Sequence, residues 1–167
     1  MEWMIMPLKR YFEFSGRSRR KEYWMFVLFT VIVGAVLGVI DNALGLTFGP
    51  ETGGPGSTAR SNGVLGSIFS LATFVPSIAV GVRRLHDTDR SGWWLLMPVV
   101  AIVAALILAF VAFDAGSGGF GTIGLALAIG GISFLVLLVF FCLEGTRGPN
   151  RFGDDPKNPT TYDGVFD

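Results

Sequence analysis

Four long stretches of this sequence contain no charged residue, and they restrict its fold more than anything else in it. They run over Tyr23–Ile40, Val64–Val82, Trp93–Phe113 and Gly121–Leu143. An α-helix rises about 1.5 Å per residue, so about 20 residues cross a hydrocarbon core of roughly 30 Å. Inside lipid a backbone must satisfy its own hydrogen bonds, and these Leu, Val, Ile and Phe runs do so as helices. Barrel strands would show alternating segments of about ten residues, and none is visible. Only 16% of the residues are charged and the mean hydropathy is +0.56. A soluble domain carries about 25% charged residues. The first stretch follows 22 mostly polar or interfacial residues with no clear cleavage site, so it reads as a retained signal anchor.

Charge placement orients the spans. Of the 13 Lys and Arg residues, all but Arg60 fall in the N-terminal segment, in the segment between the second and third stretches, or after the fourth. The positive-inside rule puts those three segments, and both termini, in the cytoplasm. Trp3, Trp24, Trp93 and Trp94 fall on that same side, as an aromatic belt at headgroup depth would. The expected fold is an all-α membrane protein, a four-transmembrane-helix bundle with N-in/C-in topology. It forms one domain over residues 1–157, with a mobile tail over 158–167. Leu8, Tyr11 and Phe12 follow i, i+3, i+4 spacing after Pro7, which predicts a short interfacial helix starting near that proline. Residues 48–63 read as a flexible Gly- and Pro-rich loop, and Gly116–Gly121 as a turn rather than a phosphate loop.

Within the spans, Gly34 with Gly38, and Gly124, Ala128 and Gly131, form small-residue stripes expected to pack helices within the chain, with the joining of two copies as the alternative. Pro76 and Pro98 are expected to bend their helices. Asp41 is expected to sit wetted at the outer interface, and Cys142 to be packed as an apolar side chain. A single cysteine and a single histidine, His86, cannot build a zinc site of several Cys and His ligands. No cofactor, metal or nucleic-acid partner is expected.

Special residues concentrate in three cytoplasmic segments: Phe14–Trp24, Arg83–Trp94 and Glu144–Pro156. Arg83 and Arg84 close the second span, where cations complement the helix dipole. Ser91 is placed to cap the third span, Gly92 to keep the turn narrow, and Trp93 and Trp94 to anchor the helix start. Asp87 and Asp89 have Arg83, Arg84, Arg90, Arg17 and Arg19 within reach as ion-pair partners. The third segment favours tight turns and can fold back, bringing Asp154 and Asp155 to Arg83 or Arg84.

The patterns F-x-G-R-x-x-R-x-E-Y/F-W, P-x-x-A-V-x-x-R-R-L-H-D-x-x-R-S-G-W-W and G-T-x-G-x-N-x-F/Y-G-x-D-P together resemble the bacterial inner-membrane family catalogued as domain of unknown function 805. The resemblance covers residues 10–156 and implies a small multi-pass inner-membrane protein, with no biochemical activity to carry over.

Two readings of the three segments stand side by side. One is an ion-paired cap that fixes a short loop. The other is an anion or lipid-headgroup site made by Arg17, Arg19, Arg83, Arg84, Arg90 and Ser91, since Arg forks bind phosphate at two points. His86, Asp87, Trp93, Trp94, Asn150 and Asp155 complete the candidate motif. No catalytic residue is assigned, because His86 has no nucleophile or second metal ligand in the pattern. The leading functional expectation is a non-enzymatic interaction or accessory subunit with membrane lipids, anionic ones first, and a protein partner. The alternatives are a lipid-responsive or small-solute transport module, and an enzyme acting on a lipid headgroup or lipid-linked phosphate.

Overall fold

The computed structural model describes residues 2–48, 62–114 and 120–157, and these are mostly helical. In chain order the elements are α1 (Glu2–Lys9), α2 (Arg20–Ala43), β1 (Thr47–Phe48), β2 (Asn62–Gly63) and α3 (Val64–Asp87). A 3₁₀ turn (Gly92–Leu96) then leads into α4 (Met97–Asp114), followed by α5 (Phe120–Cys142). Three segments, Arg20–Ala43, Val64–Asp87 and Gly92–Phe113, are long and apolar enough to cross a membrane, and α5 carries a further apolar helix over Leu127–Cys142. The chain is therefore a membrane protein with three to four helices able to span. The expected spans fall on these helices, with α2 starting three residues earlier and α3 ending five residues later. The expected outer loop over 49–61, the turn at 115–119 and the tail at 158–167 lie outside the described residues.

The chain divides into two compact units, Met1–Glu13 with Lys21–Val80, and Phe14–Arg20 with Gly81–Asp167. In the first, Phe29 of α2 meets Phe69 of α3 edge-on, with centroids 6.2 Å apart, beside the buried Phe26. α1 begins at Glu2 and contains Pro7, contrary to the expected start near that proline; Tyr11 and Phe12 lie beyond its end. The chain instead turns there, with Arg10 ion-paired to Glu13 and the Tyr11 hydroxyl donating to the Ala72 carbonyl at 2.8 Å.

Asp41 corrects a second expectation. It is 1% exposed. Its carboxylate accepts the Leu65 N–H at 3.0 Å and the Gly66 N–H at 2.9 Å, capping the N-terminus of α3. A helix start offers unpaired N–H groups and a positive dipole end, and both favour a carboxylate there. Two-residue strands β1 and β2 pair antiparallel just ahead of it, Thr47 opposite Gly63 and Phe48 opposite Asn62. Gly63 is required by this approach, because a Cβ there would stand 2.0 Å from Asp41 Oδ2.

In the second unit, α4 and α5 pack along each other and the end of α3 joins them. Gly81 faces Leu95 and Phe141, and Trp94 meets Phe140 edge-on at 5.4 Å. Ala105, Leu137 and Phe141 are buried there. Gly130 of α5 faces α4, and a Cβ at that position would stand 3.3 Å from Ile102. A Cβ at Gly34, Gly38, Gly124 or Gly131 would meet nothing within 4 Å among the described residues. Among the described residues, the glycines of the expected small-residue stripes therefore form no close helix contact within either unit.

Pro98 does not interrupt a helix. The segment starts as a 3₁₀ turn capped by Ser91, whose Oγ accepts the Trp93 N–H at 3.5 Å, and α4 begins one residue before the proline. In a first turn the missing N–H costs no internal bond. Pro76, by contrast, lies within α3 and is buried. Cys142 is exposed rather than packed.

A candidate functional site built on Asp87

Helix α3 ends at Asp87 in a Schellman arrangement: the Asp89 N–H reaches the His86 carbonyl and the Arg90 N–H the Leu85 carbonyl, both at 3.0 Å. Asp89 occupies the left-handed position at φ 56°, usually taken by Gly or Asn. This reversal leaves the buried Asp87 carboxylate facing two guanidinium groups. Arg17 Nε donates to Oδ1 at 3.1 Å, and Arg84 Nη1 to Oδ2 at 2.5 Å. Arg17, Arg84 and Asp87 are all at least 94% buried.

The remaining donors of both arginines go to backbone carbonyls. Arg84 Nε donates to the Phe141 carbonyl at 3.1 Å and Nη2 to that of Leu143. Arg20 donates to the Cys142 carbonyl at 3.2 Å. Three carbonyls at the C-terminal end of α5 are thus capped by side chains far away in sequence. Unpaired carbonyls and the negative dipole end both favour this. Arg17 Nη1 donates to Gly148 O at 2.6 Å and Nη2 to Thr146 O at 2.5 Å. Arg19 donates to the Pro156 carbonyl.

The third segment is held as a strap by its own polar groups. Asn150 Nδ2 donates to the His86 carbonyl at 2.9 Å and to Thr146 Oγ1 at 3.0 Å, while its Oδ1 accepts the Phe152 N–H. The Thr146 N–H donates to the Asp87 carbonyl at 2.8 Å. His86 stacks on Phe152 with centroids 3.9 Å apart and planes 3° from parallel, and its Nδ1 donates to the Gly16 carbonyl at 3.2 Å. Gly145 has no side chain because a Cβ there would lie 2.0 Å from Asp87 Oδ2.

The candidate residues divide accordingly. Arg17, Arg84, Asp87, His86 and Asn150 converge on one network, and Arg19 ties the same strap at Pro156. Arg83 is fully buried, and its carbonyl accepts the Ser18 N–H at 3.1 Å. Arg90 lies over the Phe140 ring at 4.0 Å, and Ser91 caps the 3₁₀ turn. Trp93 is 77% exposed and outside the network. Asp155 does not meet Arg83 or Arg84: its carboxylate accepts the N–H groups of Lys157 at 2.9 Å and Gly148 at 3.1 Å. Those bonds, the Lys157 one first, hold its pKa below the ordinary 3.8. Asp154 is exposed, and Asp89 pairs with Arg151 at 3.1 Å. The strap therefore reaches the arginines through carbonyl oxygens rather than carboxylates. Thr146, Gly145 and Phe152 do not stand out in the sequence by charge or reactivity, although the G-T-x-G-x-N-x-F pattern contains all three.

All three motif segments meet at Asp87, and a model for the family described as a protein of unknown function, DUF805, matches residues 11–154, which contain every one of these contacts except those of Pro156 and Lys157 and the Asp155 carboxylate. The chain belongs to the DUF805 family. Two relatives from Escherichia coli K12 are inner membrane protein YhaI, 44% identical, and inner membrane protein YhaH, 38% identical. Each match covers 94% of this chain, with 97% and 98% of the respective relative. No solved structure matches. In this DUF805 chain the network joins the three motif segments: Arg17 comes from the first, Arg84 and Asp87 from the second, and the Thr146 and Gly148 carbonyls from the third.

Proposed function

We propose that this DUF805 protein is a four-span inner-membrane protein with both termini in the cytoplasm, acting non-catalytically as an interaction or accessory subunit. One observation carries the reading: the motif side chains are used on one another and on helix ends. Arg17 and Arg84 direct their donors to Asp87 and to carbonyls of Phe141, Leu143, Thr146 and Gly148. A closed network of this kind fixes a surface rather than exposing a reacting group. The inner face follows from the distribution of Lys and Arg.

The test is extraction from the native host in native-lipid particles, with a C-terminal tag, followed by mass spectrometry of every stoichiometric protein and lipid. A protein partner recovered at fixed ratio, and lost from the Trp93→Ala variant or another exposed-face variant that still folds, is the expected result. A chain that runs alone and monomeric under conditions preserving known membrane complexes would overturn it.

A further inference from the structure

A cavity of about 220 Å³ opens beside the Asp87 network, and the interaction reading does not use it. Its wall carries opposite charges together: Arg147 and Lys157 on one hand, Glu144 and Asp155 on the other, with Asp87 also lining it. Asp87 is already matched by Arg17 and Arg84, so an occupant meets Arg147 and the Glu144–Lys157 pair, which it enters by exchanging partners, while the Asp155 carboxylate adds its charge from its backbone N–H bonds. Lys157 Nζ holds Glu144 at 3.0 Å, which keeps the Glu144 carboxyl below the usual glutamate range. Asp155 is held low by the N–H groups of Lys157 and Gly148. Both carboxylates therefore stand ionised at neutral pH beside the two cations.

Position and charge together narrow the occupant. Glu144 lies two residues past the end of the apolar helix α5, so on the four-span topology proposed above, on which this inference rests, the cavity sits where a membrane helix gives way to polar chain, at headgroup depth. A simple anion would meet Glu144 and Asp155, and a simple cation would meet Arg147 and Lys157. A group carrying an ammonium and a phosphate a few bonds apart satisfies both pairs. The volume is several times the roughly 30 Å³ share of one water, enough for a small headgroup.

We infer that this cavity binds a zwitterionic amino-phosphate, of the phosphoethanolamine type, with the phosphate toward Arg147 and Lys157 and the ammonium toward Glu144. The inference stands independently of the accessory-subunit reading. A primary ammonium donates hydrogen bonds to carboxylates, whereas a trimethylated one cannot, so the site distinguishes ethanolamine from choline headgroups.

The purified full chain is reconstituted separately with phosphatidylethanolamine, phosphatidylcholine and phosphatidylglycerol, and lipid retention is read by native mass spectrometry. Phosphatidylethanolamine is expected to be retained over the other two. Glu144→Gln and Arg147→Gln should each lower retention about fivefold, as loss of one exposed charge-assisted hydrogen bond implies. Both side chains are exposed and outside the Asp87 network, so unchanged thermal unfolding of these variants separates lost binding from lost folding. Soluble O-phosphoethanolamine added to lipid-loaded protein in detergent distinguishes the source. Displacement of the lipid by the soluble compound indicates a free amino-phosphate; its failure to displace indicates a lipid headgroup. Equal retention of all three lipids without any binding of O-phosphoethanolamine, or a phosphatidylethanolamine preference that survives both substitutions, would overturn the assignment.

Discussion

Asp41 and Asp87 are both buried carboxylates, yet they are neutralised in different ways. Asp41 accepts two backbone N–H groups at the start of α3, and both of these partners are uncharged. Asp87 is gripped by the guanidinium groups of Arg17 and Arg84. Backbone N–H groups and a helix dipole supply only partial charge, so removing the charge at Asp41 strands no full opposite charge, although each of its two oxygens accepts one N–H. At Asp87 the partners carry full charges in a buried setting, and no neutral residue replaces what they need. A buried ion pair is only weak evidence for stability, but breaking one from a single side is severe.

The largest effect is therefore expected from Asp87→Asn, which keeps the shape and removes the charge. It should destabilise by about 3–5 kcal/mol, the cost of leaving buried charges uncompensated. Thermal unfolding in detergent and steady-state abundance in the membrane report it, and a wild-type melt would end the account of Asp87 as the keystone. Next comes Gly145→Ala, since its Cβ would stand 2.0 Å from an Asp87 oxygen that Arg84 holds in place. Overpacking of this kind costs about 1–3 kcal/mol. If the alanine variant melts like wild type, the close approach at Asp87 is not needed. Asp41→Asn turns an Nδ2 donor toward one of the two N–H groups that the carboxylate accepts and should cost about 1 kcal/mol, while Asp41→Ala, which leaves both N–H groups without that acceptor, should cost about 2 kcal/mol. Equal losses in Asn variants at 41 and 87 would erase the contrast between the two sites.

The smallest effect is on pH. Asp155 has a folded pKa below its ordinary 3.8, because the Lys157 and Gly148 N–H groups stabilise the ionised form. The stability it adds is complete above 3.8 and disappears as pH falls through the depressed folded value. Amide exchange at Gly148 and Lys157, corrected for its intrinsic pH dependence, should stay protected through neutral and mildly acid pH and open below that range. Opening already in mildly acid solution, well above 3.8, would remove Asp155 as the clasp of the strap.

Much of this is legible in the sequence. Long charge-free runs report their own helices, and the ends differ by a few residues, most at α2, at the end of α3 and at the start of α4, where a 3₁₀ turn comes first. The opposite charges of Arg17, Arg84 and Asp87 announce an ion-paired cap, and the structure brings those three together. What stays hidden is what any residue can do. The strap meets Arg17 through the carbonyls of Thr146 and Gly148, and every residue carries a carbonyl. The carboxylates of Asp154 and Asp155 are more conspicuous, and their charge points to arginines that Asp155 does not meet. Asp41 looks wetted because it ends a span; Gly63 of β2 lies against its carboxylate, and β1 and β2 are two residues each, too short for any periodicity. Pro98 looks like a kink because the 3₁₀ turn ahead of it has the same apolar composition as α4.

Arg17 is made early in the chain, and two of its acceptors lie 129 and 131 residues later. Loop-closure entropy rises only slowly with such distances, so the separation itself costs little. Its consequence is one of timing. Until the polar segment after α5 is made the arginine is without those acceptors, and that segment completes the cap. Arg84 waits likewise for the end of α5. A chain cut short after α4 would keep both arginines without these acceptors, so completion of the cap separates copies that carry α5 and the strap from those that lack them.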